Sequence, residues 1–249
     1  MAHVYVFSPS SAVRDKAAFR RGVKRLQALG HEVEVDQAAL AVQMRFAGDD
    51  ATRLAAIHRA AASGADVALI SRGGYGLTRI LPGIAYKKVA KAIEGGTRFV
   101  GLSDFTAFQL ALLARTGAIS WAGPALGEDF GVEGTPDDIM EACFDDLVQD
   151  QGEGTGWRLP AERSLVAPDS IAAGGQAVLL GSFTGIRLAP HDRGYKLATV
   201  VAWLRSQIRV PVLTGLPFGH VPTKVLLPVG ARVDLVVQER EVLMAWGHL

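Results

Sequence analysis

Short apolar runs alternate with helically spaced apolar residues over the first 150 residues of the chain. Runs typical of strands lie at residues 3–7, 31–35, 66–70, 98–101 and 119–122. Helical spacing of three or four residues occurs at residues 13–29, 49–63, 86–94, from 105 onward and at 136–150. Strands that alternate with helices in this way predict an α/β domain, with an N-terminal parallel sheet flanked by helices.

The pattern changes after a glycine-rich, loop-like segment at residues 151–156. Beyond it, one helical stretch at residues 196–208 lies among short runs that Gly and Pro separate. These runs predict strands at residues 157–159, 177–181, 210–213, 224–227, 232–237 and 241–246. We therefore expect two domains, an α/β domain over residues 1–150 and a smaller β-rich C-terminal lobe over residues 157–249.

Composition excludes several classes of function. The net charge of the 249 residues is +1, so no basic surface for nucleic acid or anionic membrane is indicated. No apolar run reaches the roughly 18 residues of a membrane span, and the N-terminus is typical of a strand rather than a signal peptide. Cys143 is the only cysteine and has acidic neighbours, so neither a disulfide nor a reactive thiolate is expected. The sequence predicts a soluble, cytoplasmic protein that binds neither nucleic acid nor membrane.

The strand at residues 98–101 runs directly into Ser103, and a helical pattern begins immediately behind it. A sharp strand-to-helix turn lifts a serine hydroxyl off the end of a sheet, and it directs the first N–H groups of the helix toward the group that the hydroxyl attacks. The motif here is Gly-x-Ser-Asp rather than Gly-x-Ser-x-Gly. From the residues alone, Ser103 is either a nucleophile or a helix N-cap, the commoner role for serine at such a position.

A glycine-rich loop, residues 71–76 (Ser-Arg-Gly-Gly-Tyr-Gly), follows another predicted strand. Ligands of parallel sheets bind beyond the carboxyl ends of the strands, where this loop is expected to lie. Its N–H groups can hold an anion or an oxyanion, although a flexible turn is the simpler alternative. Large side chains such as those of Arg72 and Tyr75 are not needed in a turn that only connects two elements, so their presence favours a binding role for the loop. The spacings of known phosphate loops are absent.

Two histidines are candidates for the base that a serine nucleophile needs. His220 lies between Gly219 and a Val-Pro step, in a turn that can hold an imidazole in one orientation. His191 lies in a more polar segment and ranks second. A structural loop histidine is the alternative role for either residue.

Three motifs occur in one order: Arg-Gly-Gly-Tyr-Gly at residues 72–76, Gly-Leu-Ser-Asp at 101–104 and Gly-Leu-Pro-Phe-Gly-His-Val at 215–221. Together they resemble the LD-carboxypeptidase family, which comprises murein tetrapeptide carboxypeptidases and microcin-immunity relatives. Residues 46–53 and 224–230 are similar to that family as well, so the resemblance covers nearly the whole chain.

The resemblance implies a serine peptidase with a Ser-Glu-His triad, which removes the terminal D-alanine from a cytoplasmic murein tetrapeptide by cutting an L-to-D bond. By motif, Ser103 is the implied nucleophile and His220 the implied base. The backbone N–H of Asp104, with that of Gly73 or Gly74, is the implied oxyanion hole. The resemblance also implies a homodimer, and neither a metal nor a cofactor.

One further role is suggested by chemistry alone. Arg72 or Tyr75 can meet the carboxylate of a muropeptide substrate, because each carries a side-chain hydrogen-bond donor within the glycine loop.

The chain departs from the family pattern where the triad acid is expected. Family members carry a Gly-Gly-Asn strand, a helix and a Leu-Glu-Asp motif between the equivalents of residues 160 and 177, and several dozen residues are absent here. Either the protein has a segment that this sequence omits, or it has lost the acid. The missing acid makes a catalytically impaired muropeptide-binding protein one alternative. A microcin-type peptidase that keeps the same triad and acts on a peptidyl-adenylate is another, because no motif here fixes the substrate. Four residues can stand in for the acid, none favoured by spacing: Glu128, Asp129, Asp169 and Asp192.

Overall fold

A computed structural model describes residues 1–159, 176–183, 194, 196–247 and 249. The chain forms two compact units. The first comprises Met1–Gly152 and Val225–Ala231, and the second comprises Glu153–Lys224 and Arg232–Leu249. The predicted domain ranges differ from this division in one segment, because residues 225–231 return to the first unit.

Strands and helices alternate in the first unit, as the hydrophobic pattern predicts. Its strands are β1 (His3–Phe7), β2 (Glu32–Val35), β3 (Val67–Ile70), β4 (Arg98–Gly101), β5 (Ser120–Ala122) and β9 (Leu227–Val229). Its helices are α1 (Lys16–Ala28), α2 (Asp50–Ala62), α3 (Tyr86–Glu94), α4 (Phe105–Thr116) and α5 (Asp138–Val148). Asp15, Asp49 and Asp137 cap α1, α2 and α5 by accepting hydrogen bonds from backbone N–H groups.

The six strands of this unit form one sheet in the order β2-β1-β3-β4-β5-β9. All neighbours are parallel except β9, which is antiparallel to β5. The central strand β3 is buried at all four residues, because helices cover both faces of a parallel sheet. The fold class is therefore the α/β class that the sequence predicts.

A cluster of four phenylalanines fixes the start of α4 on the sheet. Phe105, the first residue of α4, lies edge-on to Phe7 at 6.1 Å and stacks on Phe108 at 4.7 Å between ring centroids. Phe99 of β4 completes the cluster, and all four rings are fully buried. Burial of each ring contributes about 1.5–3 kcal/mol. The turn between β4 and α4 is therefore anchored on both sides.

One buried charge in this unit is fully paired. Asp36 follows β2, and its carboxylate accepts hydrogen bonds from Arg59 at 2.7 and 2.9 Å and from the Tyr5 hydroxyl at 2.6 Å. Burial alone raises the pKa of Asp36, but these hydrogen bonds outweigh it and hold the pKa below its ordinary value.

The second unit is smaller and rich in strands. β6 (Gly154–Arg158), β10 (Asp234–Gln238) and β11 (Glu241–Ala245) form an antiparallel sheet in the order β10-β11-β6. β7 (Val178–Leu180) pairs in parallel with β8 (Val212–Thr214), and α6 spans Leu197–Gln207. This β-rich composition agrees with the prediction for the C-terminal lobe.

Candidate active site

The candidate site lies at the carboxyl ends of β1, β3 and β4, which are neighbours in the sheet. Three loops follow these strands: the serine-rich loop 8–11, the glycine loop 71–76 and the serine turn 102–104. Because the strands are parallel and adjacent, their loops share one edge. This edge brings together six of the residues predicted from sequence: Arg72, Gly73, Gly74, Tyr75, Ser103 and Asp104.

Ser103 has a backbone conformation that serine rarely adopts. Its φ is +63°, in the left-handed region, and its side chain is exposed. β4 ends two residues before it and α4 begins two residues after it. The residue that caps α4 is Asp104, and no side-chain hydrogen bond closes the helix there. Within the described residues, Ser103 Oγ also accepts no N–H group of α4, so the serine does not act as a capping side chain; a strained turn of this kind can present a nucleophile.

Gly73 lies directly against Ser103. A Cβ at Gly73 would lie 2.8 Å from Ser103 Cβ and 3.2 Å from Ser103 Oγ, so any side chain there displaces the serine. The glycine loop therefore lies over the serine turn, as expected for a loop that supplies oxyanion donors.

Three backbone N–H groups at this edge are free to donate to a ligand, as far as the described residues show. Within the described part of the chain, the N–H groups of Gly73, Gly74 and Asp104 donate no hydrogen bond. Buried N–H groups without a partner are rare in folded proteins, and Gly73 is buried. These donors are available to a ligand oxygen, which is the requirement for an oxyanion hole.

Substituting Gly73 is expected to damage the site without unfolding the protein. We expect Gly73→Ala to lower turnover about 10²-fold, because misplacing reacting groups by about 1 Å costs that much. Gly152→Ala is the matched control, since its Cβ would meet nothing closer than 3.7 Å. Steady-state kinetics of the two variants, with thermal unfolding of each, check this. Equal turnover in both variants would contradict it.

Arg72 and Tyr75 flank the two glycines. Arg72 Nη1 donates to the carbonyl oxygen of Ala12 at 3.2 Å, and the guanidinium makes no ion pair within the described residues. Tyr75 is 50% exposed. Its hydroxyl accepts a hydrogen bond from Arg45, and its ring meets Phe46 edge-on at 5.8 Å.

The other predicted catalytic residue, His220, belongs to the second unit. It is exposed and follows Gly219, whose φ is +134°. The same turn is attached to the end of β7, since the N–H of Ser182 donates to the carbonyl oxygen of Phe218 at 2.8 Å. Lys224, which is buried, donates to the carbonyl oxygen of Val221 at 2.6 Å. This turn is therefore held on both sides of His220.

Of the residues considered as a substitute acid, two lie in a π-helical turn, Leu126–Phe130, that the sequence did not predict. Glu128 is exposed there, and Asp129 is buried with its carboxylate accepting the N–H of Ala125 at 2.8 Å. The turn reaches the same sheet edge, because Gly127 N–H donates to the carbonyl oxygen of Ser71 at 2.9 Å. π-helical turns are frequent at functional sites. Asp169, Asp192 and His191 lie outside the described residues.

Cys143 does not belong to this site. Burial raises the pKa of its thiol, and Asp146 and Asp137 act in the same direction. Among the described residues, no group of three or more His, Cys, Asp and Glu side chains is placed to hold a metal ion. Over the same residues, no helix has both the length and the apolar character that crossing a bilayer requires.

Sequence reasoning missed three residues that shape the site: Ser11, Phe46 and Arg53. Each contacts the glycine loop from an element far from it in sequence. The similarity of residues 46–53 to the LD-carboxypeptidase family was the signal that could have indicated Phe46 and Arg53.

The fold and the site together define a class of protein: an α/β protein with a strained serine turn beneath a glycine loop, an arrangement typical of enzymes with a serine nucleophile. The sequence matches the family model of the LD-carboxypeptidase N-terminal domain over residues 4–123, and that of the C-terminal domain over residues 169–235. The chain therefore belongs to the LD-carboxypeptidase family and is, by its family, a peptidase.

Relatives agree with this assignment. A protein of Synechocystis sp. named as a carboxypeptidase is 24% identical over 275 residues, which cover 92% of this chain and 90% of the relative. A murein peptide carboxypeptidase of Bacillus subtilis is 29% identical over 126 residues, covering 50% of this chain and 38% of that protein. The Synechocystis match spans more residues than the 249 of this chain, so that relative has residues with no counterpart here.

Solved structures share the fold. The crystal structure of muramoyltetrapeptide carboxypeptidase from Oxalobacter formigenes has a TM-score of 0.80 and 27% identity, with 98% of each chain covered. The microcin C7 self-immunity protein MccF, in complex with adenosine monophosphate, has a TM-score of 0.81 at 17% identity, covering 99% of this chain and 96% of that one. At that identity the second likeness shows the fold alone.

Proposed function

We propose that this protein is a serine LD-carboxypeptidase that removes the terminal D-alanine from murein tetrapeptide in peptidoglycan recycling. The observation that carries the proposal is the left-handed Ser103 turn beneath N–H groups that donate to no acceptor in the described part of the chain. The substrate class comes from the family and from relatives that are named for murein peptides.

In the proposed reaction, Ser103 Oγ attacks the carbonyl carbon of the L-to-D peptide bond, and its proton passes to the imidazole of His220. The carbonyl oxygen becomes an oxyanion that the N–H of Asp104 and that of Gly73 or Gly74 stabilise. When the C–N bond breaks, the amine of D-alanine takes the proton from the imidazole. Water then attacks the acyl-enzyme, with His220 as base, and releases the shortened peptide and free Ser103.

Arg72 is the proposed contact of the D-alanine carboxylate, since its guanidinium lies next to Gly73 and has no acidic partner among the residues that the structure describes. Tyr75 is proposed to flank the bound peptide with the exposed part of its ring. A carboxypeptidase must recognise a free C-terminus, and an arginine guanidinium that pairs with the terminal carboxylate provides that recognition.

Replacing Arg72 is expected to raise KM rather than lower kcat. A hydrogen bond to a charged group contributes about 1.5–3 kcal/mol, so Arg72→Met raises KM about 10- to 100-fold. With a tetrapeptide whose C-terminal carboxylate is replaced by an amide, Arg72→Met and the parent protein should have similar KM values. Arg158→Met, at an exposed arginine paired with Glu241, is the control. An unchanged KM in Arg72→Met would exclude the proposed contact.

The proposed function is tested by incubating the 249-residue chain with murein tetrapeptide and detecting D-alanine and the tripeptide by mass spectrometry. A tetrapeptide that ends in L-alanine is the stereochemical control and should stay intact. Release from neither peptide, by a protein whose intact mass matches the sequence, would contradict the proposal. Binding of the tetrapeptide without turnover would favour the alternative of an impaired muropeptide-binding protein, to which the missing acid segment points.

The proposed place of action is the cytoplasm, where recycled tetrapeptides occur, and a single unpaired cysteine is typical of that compartment. The proposed assembly is a homodimer, as the family resemblance implies. Cell fractionation and sedimentation of the purified chain test these two points.

A further inference from the structure

We propose that the Asp104 side chain is a positioning residue, which fastens the glycine loop to the serine turn and so sets the spacing of the oxyanion donors. The proposal rests on the proposed function, in which the N–H of Asp104 acts together with that of Gly73 or Gly74. It gives Asp104 a second task beyond its backbone donor.

The contact that carries the inference joins Asp104 to the far end of the glycine loop. Asp104 Oδ2 accepts a hydrogen bond from the N–H of Leu77 at 3.0 Å. Leu77 is the first residue of a short 3₁₀ helix, so its N–H has no partner within that helix. Hydrogen bonds to a carboxylate are in general stronger than those between neutral groups.

The Asp104 side chain does not form the N-cap hydrogen bond that is usual for an aspartate at the start of a helix. Aspartate is among the best N-cap residues, and Asp15, Asp49 and Asp137 cap their helices in this protein. At the start of α4, Asp104 makes no such side-chain hydrogen bond. Its carboxylate instead reaches a residue 27 positions earlier in the sequence. The contact is therefore a feature of the site rather than of the helix.

Two further side chains hold the neighbouring residues of the loop. Ser11 Oγ accepts the N–H of Tyr75 at 3.3 Å, and Arg53 Nη1 donates to the carbonyl oxygen of Gly76 at 3.0 Å. Arg53 is fully buried, and its Nη1 also lies 3.4 Å from the carbonyl oxygen of Pro9. Three consecutive residues, 75–77, are thus each held by a side chain from a different element.

Of these three anchors, only Asp104 belongs to the serine turn itself. Ser11 and Arg53 attach the glycine loop to the loop after β1 and to α2, so two of the three anchors remain when the Asp104 carboxylate is removed. The glycine loop and the serine turn are therefore joined at two points. Gly73 contacts Ser103, and the N–H of Leu77 donates to the carboxylate of Asp104. Loss of the carboxylate removes the second of these links, so the N–H groups of the glycine loop can move away from the N–H of Asp104.

The test compares Asp104→Ala with Asp104→Asn. Asparagine keeps an oxygen that accepts the N–H of Leu77, whereas alanine does not. We expect Asp104→Ala to lower kcat for D-alanine release about 10²-fold, the effect of one lost oxyanion donor, with KM changed less than about threefold. Asp104→Asn should keep at least about a tenth of the parent kcat. Asp137→Ala, which removes a cap of α5, is the matched control with unchanged kcat.

A second readout separates this inference from the choice of substrate. An alkyl fluorophosphonate forms a P–O bond with a serine Oγ, expels fluoride and depends on the same oxyanion donors. Its second-order labelling rate should fall in Asp104→Ala in parallel with kcat. If the parent protein is labelled but releases no D-alanine, the proposed function fails while the labelling rates still test the role of Asp104.

Two results would overturn the inference: parent-like labelling of Asp104→Ala, or equal losses in Asp104→Ala and Asp104→Asn. Thermal unfolding accompanies each variant. Should Asp104→Ala not fold, Asp104→Glu replaces it, because the extra methylene moves the carboxylate away from Leu77. In that case a retained rate in Asp104→Asn with a lowered rate in Asp104→Glu supports the inference, and equal rates overturn it.

Discussion

Replacing Ser103 with alanine is expected to lower D-alanine release by at least about 10³-fold, because the proposed acyl-enzyme cannot form without Oγ. The substitution removes an exposed hydroxyl, so the phenylalanine cluster beneath the turn and the free energy of unfolding should change little. Relief of the left-handed φ is not expected, since alanine has the same preference against it. Kinetics with murein tetrapeptide measure the effect.

Ser206 supplies the matched control for this experiment. It is an exposed serine in α6 whose hydroxyl donates to the carbonyl oxygen of Trp203 at 2.6 Å. Ser206→Ala should release D-alanine at the parent rate. If Ser103→Ala also keeps the parent rate, Ser103 is not the nucleophile and the hydrolase account of the site fails.

Replacing His220 with alanine is expected to lower turnover by about 10³- to 10⁴-fold, since the nucleophile then lacks its base. If Ser103 and His220 act as one unit, the double variant should be no slower than Ser103→Ala alone, because such effects are strongly non-additive. Kinetics of both single variants and the double variant measure this coupling.

His3→Ala is the control for the histidine substitution. His3 starts β1, at the amino end of the strand, and its imidazole contacts Glu34 at 3.1 Å. Losses from Ser103→Ala and His220→Ala that multiply in the double variant would show two independent roles. That result would contradict the assignment of His220 as the base.

Much of the first unit could be predicted from sequence because its signals are local. The strands at β3 and β4 are short apolar runs, and α3 occupies the predicted range, residues 86–94. The pairing of the glycine loop with the serine turn was implied only by the family resemblance; the structure accounts for it, since the carboxyl ends of neighbouring parallel strands share an edge.

Other features depend on contacts between distant residues and gave no local signal. The run at residues 224–227 was assigned to the C-terminal lobe, yet β9 (Leu227–Val229) pairs antiparallel with β5 in the first unit. The π-helical turn at Leu126–Phe130 has no characteristic spacing of apolar residues. The hydrogen bond from Leu77 to Asp104 likewise joins residues whose proximity only the folded sheet creates.

The acid of the Ser-Glu-His triad is the one catalytic residue that the family motifs do not assign in this sequence. Loss of that acid lowers turnover by about 10⁴-fold in a comparable triad, so the absolute rate of this protein reports whether another carboxylate replaces it. Glu128 is exposed at the sheet edge that carries Ser71, which makes it the described residue to substitute first if the rate is high.

The most direct test of the account is to identify the residue that an alkyl fluorophosphonate modifies, by peptide mapping of the labelled 249-residue chain. Five serines lie at the same sheet edge, and four of them, Ser8, Ser10, Ser11 and Ser71, are buried. Only Ser103 combines exposure with the left-handed turn. A single adduct, on Ser103, is expected. An adduct on any other residue, with Ser103 unmodified, would contradict it.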